Sequence, residues 1–152
     1  MSSLIEQQLK KRILVIDGAM GTMIQDADLT AEDFGGEEYE GCNEYLTRTA
    51  PHVIQRIHEE YFAAGADIIE TNTFGSTSTV LDEYDLGHLA YELNIEAVKL
   101  ACAARDKYST PEWPRFVAGA IGPTTKTLSV TGGITFPELV ESYEEQARGL
   151  LD

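Results

Sequence analysis

The chain has 152 residues, 43% of them hydrophobic, which is enough for one domain with a core of its own. Its 26 acidic and 11 basic residues give a net charge of −15, which repels the phosphates of nucleic acids and argues against a nucleic-acid partner. The opening residues lack the apolar core of a signal peptide, and no apolar run approaches the roughly 20 residues needed to cross a bilayer, so the sequence predicts a cytoplasmic protein with no membrane partner.

A predicted strand and a predicted helix come first along the chain. Residues 13–16 are four aliphatic residues in a row, which is typical of a strand covered on both faces, and this strand ends at Asp17. Residues 51–64 place apolar side chains at helical spacing, with Pro51 suited to the first turn and Gly65 to a C-terminal cap. This spacing predicts a helix with one buried face.

Strands and helices continue to alternate along the rest of the chain. The further predicted elements are a short strand at 68–69, a helix over 86–108, a strand over 115–123 and a helix that begins near Phe136. Thr135 and Glu138 form a capping-box pattern at the start of the last helix. The strand exits at Asp17, Glu70 and Gly122 recur about every fifty residues, which is the rhythm of βαβ units and a parallel sheet.

This order predicts an α/β fold, the N-terminal part of a (β/α)8 TIM barrel. A closed barrel needs about 250 residues, and the chain supplies about three βα units. Residues 1–152 are predicted to form one partial barrel domain, with the first strand and a long loop at 13–50, a second βα region at 51–107 and a third strand and helix at 115–152. A small open α/β sheet is the alternative, and the loop 18–50 is either a functional lid or partly disordered.

The three strand exits predict a ligand site, because ligands bind at the carboxyl ends of parallel strands. In the sequence DGAMG, residues 17–21, the glycines permit a tight turn whose N–H groups suit a carboxylate or a phosphate. Asp17 is suited to accept a hydrogen bond from an amino group, so the pair would recognise the two ends of an amino acid. The alternative interpretation is a tight turn with a capping aspartate.

Other polar residues give weaker indications. The polar side chains at 70–73 follow an apolar strand, where they either bind a ligand or satisfy the loop backbone. Three histidines and two cysteines have no partners at metal-ligand spacing; they are His52, His58, His88, Cys42 and Cys102. We interpret the histidines as surface or capping residues and the cysteines as structural, and the separated thiols fit a reducing compartment.

Six segments in series carry a family resemblance. They are ILVIDGAMGTMIQ, GCNEYL, ADIIETNTFGSTS, HLAYELN, RFVAGAIGPTTKTLSV and ITFPELVESYEEQARGLLD. In this order, and over nearly the whole chain, they resemble the start of the cobalamin-dependent methionine synthases, whose homocysteine-binding module belongs to the homocysteine S-methyltransferase family. The resemblance implies a (β/α)8 barrel in which homocysteine is held as a zinc thiolate and attacks a methyl group carried on cobalamin.

The resemblance also implies substrate-binding residues at the three strand exits. They are Asp17, Gly18 and Ala19 at the first exit, Asn72 and Thr73 at the second, and Gly122, Pro123 and Thr124 at the third. In the family, the first exit helps to hold the amino-acid end of homocysteine, and the other two fall where the pocket is lined. No residue of the chain is predicted to be catalytic.

The chain departs from the family pattern in two places. Family members bind zinc through three cysteines, one after a late strand and an adjacent pair near the end of the barrel, and Cys42 and Cys102 do not match those positions. Zinc and cobalamin are therefore expected in the complete enzyme, and no metal is expected on this segment alone. Residues 131–133 stand where the family usually has a longer loop.

The sequence thus predicts an N-terminal segment of a homocysteine S-methyltransferase module in methionine biosynthesis, inactive by itself. The expected partners are homocysteine, methyltetrahydrofolate and cobalamin modules, and further copies of the segment through self-association. One alternative is a catalytically silent half-barrel that acts as a binding or assembly module. Another is a homocysteine methyltransferase that uses a different methyl donor.

Overall fold

The structure, a computed structural model, describes residues 3–128 and 131–152, so the end of the segment RFVAGAIGPTTKTLSV lies outside the described residues. The α-helices are α1 (Leu4–Leu9), α2 (Met20–Gln25), α3 (Leu46–Thr49), α4 (Pro51–Ala64), α5 (Ser78–Leu81), α6 (Ala90–Tyr108) and α7 (Phe136–Leu151). Short 3-10 helices span Glu37–Tyr39, Asn43–Tyr45, Asp82–Tyr84 and Gly87–Leu89. In this described part of the chain, no helix is both long enough and apolar enough to span a membrane.

A small parallel sheet lies among these helices. Strand β1 (Ile68–Glu70) pairs in parallel with β2 (Phe116–Ala118), with Ile69 opposite Val117. Ile16 forms a parallel bridge to Ile68, so the segment that ends at Asp17 runs beside β1 in the same direction. The α/β class and the parallel sheet are confirmed, and the three carboxyl ends lie at one edge.

The predicted helix boundaries at α4 and α7 are confirmed, because their end signals are local in sequence. Pro51 is in the first turn of α4, and Gly65 ends the helix at φ +110°, a conformation that favours glycine. At α7 the Thr135 hydroxyl accepts from the N–H of Glu138, whose carboxylate accepts from the N–H of Thr135. The helix predicted over 86–108 begins later, at Ala90, because a 3-10 turn precedes it.

The first predicted strand is wrong in its burial and its extent. Residues 13–16 were expected to be covered on both faces, yet Ile13 is 87% exposed and Val15 is 57% exposed. Within residues 3–128 and 131–152, Ile16 is the one residue of this run that bridges to a neighbouring strand. The physical reason is that this segment meets β1 on one side only among the described residues, so its apolar side chains lack a second layer. The third strand is also shorter than predicted and ends at Ala118.

Helices α4 and α6 form the centre of the core. One face of α4 buries Val53, Ile54, Ile57 and Phe62. The buried face of α6 is mostly alanine, which lets both α4 and α7 pack close to it. Ile69 of β1 lies in the same core, in a cluster that also contains residues of α4 and α6.

The loop 18–50 is folded, so partial disorder, one of the two alternatives that the sequence left open, is wrong. It contains α2, α3 and two 3-10 helices. Phe34, Cys42 and Leu46 from this loop are buried, and Phe34 and Leu46 pack in one cluster with residues of α4. The apolar residues of the loop therefore form part of the domain core, which a freely moving lid would not allow.

The interpretation of His58 as a surface or capping residue is wrong. His58 lies on the buried face of α4 with no exposed surface. Neither ring nitrogen has a hydrogen-bond partner among the described residues. Burial lowers the pKa of His58 to about 4, so the side chain is neutral near pH 7.

We expect the 152-residue polypeptide, expressed by itself, to self-associate. Its sheet has an exposed apolar edge at Ile13 and Val15, and α7 exposes Phe136 and Leu151. Such edges pair readily with other chains. Multi-angle light scattering over a range of concentrations should give a mass that rises above 16.7 kDa.

The matched variants for this prediction are Val15→Lys at the sheet edge and Leu4→Lys on α1, since both residues are exposed and apolar. The first should reduce the association and the second should leave it unchanged, because only the first lies on the strand edge. A monomeric mass at every concentration would show that the exposed edge does not mediate contact between chains.

Candidate functional site

A cavity of about 300 Å³ opens where the parallel segments end. Its walls come from residues 17–21, from Asn43 and Glu44 of the long loop, from residues 70–74, and from Ala120. The cavity thus lies at the carboxyl ends of the sheet, the end at which parallel α/β folds bind ligands. Its volume falls at the lower limit for small-molecule sites, which suits a ligand of amino-acid size.

Asp17 lines this cavity and is held in place by two hydrogen bonds. Its N–H donates to the carbonyl of Ile68 at 2.9 Å, and its Oδ1 accepts from the N–H of Glu70 at 3.0 Å. These bonds fix the carboxylate beside the end of β1. Burial raises the pKa of Asp17 to about 6, although the bond from Glu70 acts in the opposite direction.

The turn after Asp17 differs in detail from the sequence prediction. The residue with positive φ is Ala19, at φ +23° and ψ +52°, and neither Gly18 nor Gly21 adopts that conformation. A strained non-glycine residue beside a cavity is typical of a functional site. A Cβ atom added at Gly18 or Gly21 would have no neighbouring atom within 4 Å, so the space beside these two glycines is open.

Two buried threonines organise the second strand exit. The hydroxyls of Thr71 and Thr73 lie 2.6 Å apart, and that of Thr73 donates to the carbonyl of Ala120 at 2.8 Å. The hydroxyl of Thr71 accepts from the N–H of Ala120 at 3.0 Å. The side chains therefore continue the β1–β2 pairing beyond the strands and hold Ala120 in the cavity wall.

Asn72 and Glu44 attach the long loop to the same exit. The Asn72 amide donates to the carbonyl of Asn43 at 2.8 Å and to the hydroxyl of Thr47 at 3.3 Å. The Glu44 carboxylate accepts from the N–H of Gly75 at 2.8 Å. Asn43 and Glu44 are cavity-lining residues that the sequence prediction missed, because their approach depends on how the loop folds back.

The structure brings five of the eight predicted binding residues into one cavity wall. They are Asp17, Gly18, Ala19, Asn72 and Thr73. The other three, Gly122, Pro123 and Thr124, do not line the cavity, although the N–H of Gly122 donates to the carbonyl of Phe74, a cavity residue. Substrate binding by all eight residues stays a prediction.

The cavity has a marked negative character. Asp17, Glu44 and Glu70 line it, and within the described residues its walls contain no lysine, arginine or histidine. A ligand that enters is therefore favoured if it presents a positive group to the carboxylates. Backbone N–H groups are the available donors for a negative group, and no protein oxygen in the described chain accepts from those of Gly18 or Ala19.

A larger groove of about 780 Å³ lies between α5 and α7. It is open, and its walls carry acidic side chains such as Asp82 and Glu141. It lies away from the carboxyl ends of the sheet and contains none of the predicted binding residues. We therefore place the candidate site in the smaller cavity, where the backbone geometry and the polar groups converge.

The described residues do not fit a zinc ion. No group of three or more histidine, cysteine or acidic side chains is placed to hold a metal in residues 3–128 and 131–152. Cys42 is buried in an apolar cluster, and burial raises its pKa to about 11, so it stays a thiol rather than the thiolate that zinc requires. Cys102 lies apart from it on α6 and is also unpaired.

Fold and cavity together define an α/β protein with a small acidic cavity at the ends of its parallel strands. The chain belongs to the homocysteine S-methyltransferase family, whose model matches residues 14–152. This match covers almost the whole described chain and confirms the family that the six sequence segments indicate.

Two solved structures of the homocysteine methyltransferase MmuM from Escherichia coli resemble the chain. The oxidized form has a TM-score of 0.74 and 23% sequence identity, over 95% of this chain and 51% of that one. The metallated form has a TM-score of 0.76 and 21% identity, over 97% of this chain and 53% of that one. The chain therefore spans about half the length of these structures and shares their fold over that part.

Proposed function

We propose that this chain forms the amino-acid-binding part of a homocysteine methylation module, and that the complete protein is a cobalamin-dependent methionine synthase. The observation that carries the proposal is the cavity at the strand ends, which Asp17 lines together with the other residues of the DGAMG turn. Membership of the homocysteine S-methyltransferase family supports the choice of ligand. The six sequence segments support the particular enzyme.

In this proposal, Asp17 accepts from the ammonium group of homocysteine and the N–H groups of Gly18 and Ala19 donate to its carboxylate. A charged acceptor and neutral backbone donors match the two ends of an amino acid. Asn72 and Thr73 hold the second strand exit against the cavity, and Gly122, Pro123 and Thr124 extend the pocket at the third. The negative lining disfavours ligands that carry only anionic groups.

The reaction of the complete enzyme is proposed to be methyl transfer to the homocysteine thiol. Zinc would lower the pKa of that thiol, but the described residues contain no fitting ligand set, so we assign zinc and cobalamin to other parts of the protein. This segment then supplies substrate binding and is inactive by itself. Cobalamin and methyltetrahydrofolate modules are its proposed partners, in the cytoplasm, where two unpaired cysteines are stable.

Isothermal titration of the full-length protein with homocysteine tests the proposal. We expect saturable binding of homocysteine and much weaker binding of propane-1-thiol, which lacks both charged ends. A chain without homocysteine affinity would instead favour the catalytically silent half-barrel. Assays with methylcobalamin and with other methylated compounds then distinguish methionine synthase from a methyltransferase that uses a different donor.

We expect the 152-residue polypeptide to bind no stoichiometric thiolate-ligated zinc. Cys42 is buried as a thiol, and Cys102 lies in another part of the described structure, so the two cannot supply a tetrahedral sulfur set. Equilibrium dialysis followed by metal analysis checks this, with the Cys42→Ser, Cys102→Ser double variant as control. One tight zinc per chain that disappears in the control would contradict the prediction.

A further inference from the structure

Helix α7 forms hydrogen bonds to two strand exits through two side chains, although it lies outside the cavity. The Tyr143 hydroxyl donates to the carbonyl of Gly122 at 2.7 Å. One turn further along, the Gln146 amide donates to the carbonyl of Thr73, also at 2.7 Å. The two carbonyls belong to the second and third strand exits, so one helix holds both.

Gln146 is not explained by packing alone. Its side chain has no exposed surface, and its Oε1 has no hydrogen-bond partner among the described residues. A buried amide oxygen without a partner is unfavourable, and a methionine of similar length would avoid that penalty. What the amide adds is its bond to the carbonyl of Thr73, the residue whose hydroxyl also holds Ala120 in the wall.

The backbone of α7 is itself fixed close to its neighbours. A Cβ atom on Gly149 would lie 2.7 Å from the carbonyl oxygen of Tyr91 on α6, so only glycine permits this approach. Two turns earlier, the buried Ser142 hydroxyl accepts from the N–H of Thr79 at 3.1 Å. These contacts fix the position of α7, and therefore also the positions of the Tyr143 and Gln146 side chains that it carries.

The residues that carry the two bonded carbonyls, Thr73 and Gly122, adjoin Phe74, which lines the cavity. Phe74 follows Thr73 directly and lines the cavity, and its carbonyl accepts from the N–H of Gly122 at 2.9 Å. A Cβ atom on Gly122 would lie 2.7 Å from the Phe74 ring, so the two exits are in close contact. A shift of either carbonyl would move Phe74 and change the width of the cavity.

We propose that Tyr143 and Gln146 are positioning residues that set the spacing of the two strand exits around the bound amino acid. This inference rests on the proposed function, because its consequence is measured on homocysteine. Both residues act through the main chain and neither lines the cavity. Their loss should therefore weaken substrate binding while the methyl transfer itself proceeds at saturating homocysteine.

The test uses Tyr143→Phe and Gln146→Met in the full-length protein, which remove the hydrogen bonds and keep the side-chain lengths. We expect the KM for homocysteine to rise roughly three- to tenfold, the effect of one lost hydrogen bond, with kcat changed by less than about twofold. The unfolding midpoint and the zinc content should stay close to those of the parent protein.

Matched controls are Tyr91→Phe and Gln55→Met. The Tyr91 hydroxyl bonds to Asp152 at 2.7 Å and the Gln55 amide to Glu59 at 3.2 Å, both away from the strand exits. These variants should leave KM unchanged. An unchanged KM in Tyr143→Phe and Gln146→Met, or an equal rise in the controls, would overturn the positioning role. Absence of homocysteine binding in the parent protein would instead overturn the proposed function.

Discussion

Replacing Asp17 by alanine should weaken homocysteine binding to the full-length protein by roughly 30-fold or more, the effect of losing a charge-assisted hydrogen bond in a partly buried site. The carboxylate is held beside the end of β1 by the N–H of Glu70 at 3.0 Å. In the described chain it forms no ion pair with a lysine or arginine, so a ligand ammonium group meets no competing cation. Isothermal titration calorimetry measures the change.

Cys102→Ser is the control for this variant, because Cys102 lies on α6 and does not line the cavity. Its binding constant should match that of the parent protein. If both variants bind equally well, the DGAMG turn has a structural role only, and the amino end of the ligand must be recognised by other groups.

The same prediction has a pH dependence with a defined sign. Because the pKa of Asp17 is raised to about 6, the free protein carries a neutral carboxyl below that pH and a carboxylate above it. Homocysteine keeps its ammonium group throughout this range. The affinity should therefore increase from pH 5 to pH 7 and then level off, and Asp17→Asn should remove the increase. A flat profile in the parent protein would exclude Asp17 as the acceptor.

Local signals in the sequence predict much of the fold. Pro51 and Gly65 mark the ends of α4, and the Thr135–Glu138 box marks the start of α7, because each signal satisfies backbone groups within a few residues. The site follows from the same logic. Since parallel strands end at one edge, Asp17 and Asn72 could be placed near each other without knowing their contacts.

Long-range packing explains what the sequence did not predict. The aliphatic run 13–16 has the composition of a buried strand, yet burial depends on which other layers cover it. Glu44 joins the cavity only because its carboxylate reaches Gly75, 31 residues away. In the same way, His58 is buried because of how α4 packs, and the residues next to it in sequence do not indicate this burial.

The carboxyl and amino ends of the small sheet differ in their surroundings. At the carboxyl ends, threonine and asparagine side chains surround a cavity. At the amino ends, Asp67 precedes β1 and is buried among Arg12, Trp113 and the N–H of Val15. In parallel α/β folds the first end carries ligand binding and the second contributes stability. This division predicts where substitutions should affect the fold rather than the site.

Asp67→Asn should destabilise the region around β1 by about 2 kcal/mol, the usual effect of leaving buried hydrogen-bond donors without their acceptor. The Asp67 oxygens accept two bonds from Arg12, at 2.6 and 2.7 Å, one from Trp113 at 2.7 Å and one from Val15 at 2.9 Å. An amide cannot accept all four, and its own N–H groups would face donors. Hydrogen exchange of residues 13–18 and 66–70 in the full-length protein reports the local stability.

Asp106→Asn provides the matched control, because Asp106 also pairs with an arginine, at 2.7 Å from Arg105, but is largely exposed. Its effect should stay below about 1 kcal/mol.

The pH dependence of stability separates the two variants further, since hydrogen bonds from Arg12 hold the pKa of Asp67 well below its usual range. The stability that the Asp67 carboxylate contributes is complete above about pH 4 and declines below it. In acid, the parent protein should therefore lose protection of residues 66–70 against hydrogen exchange. Asp67→Asn should show less of this loss, because it lacks the carboxylate. Equal exchange rates in Asp67→Asn and Asp106→Asn would show that the buried cluster does not stabilise the amino end of the sheet.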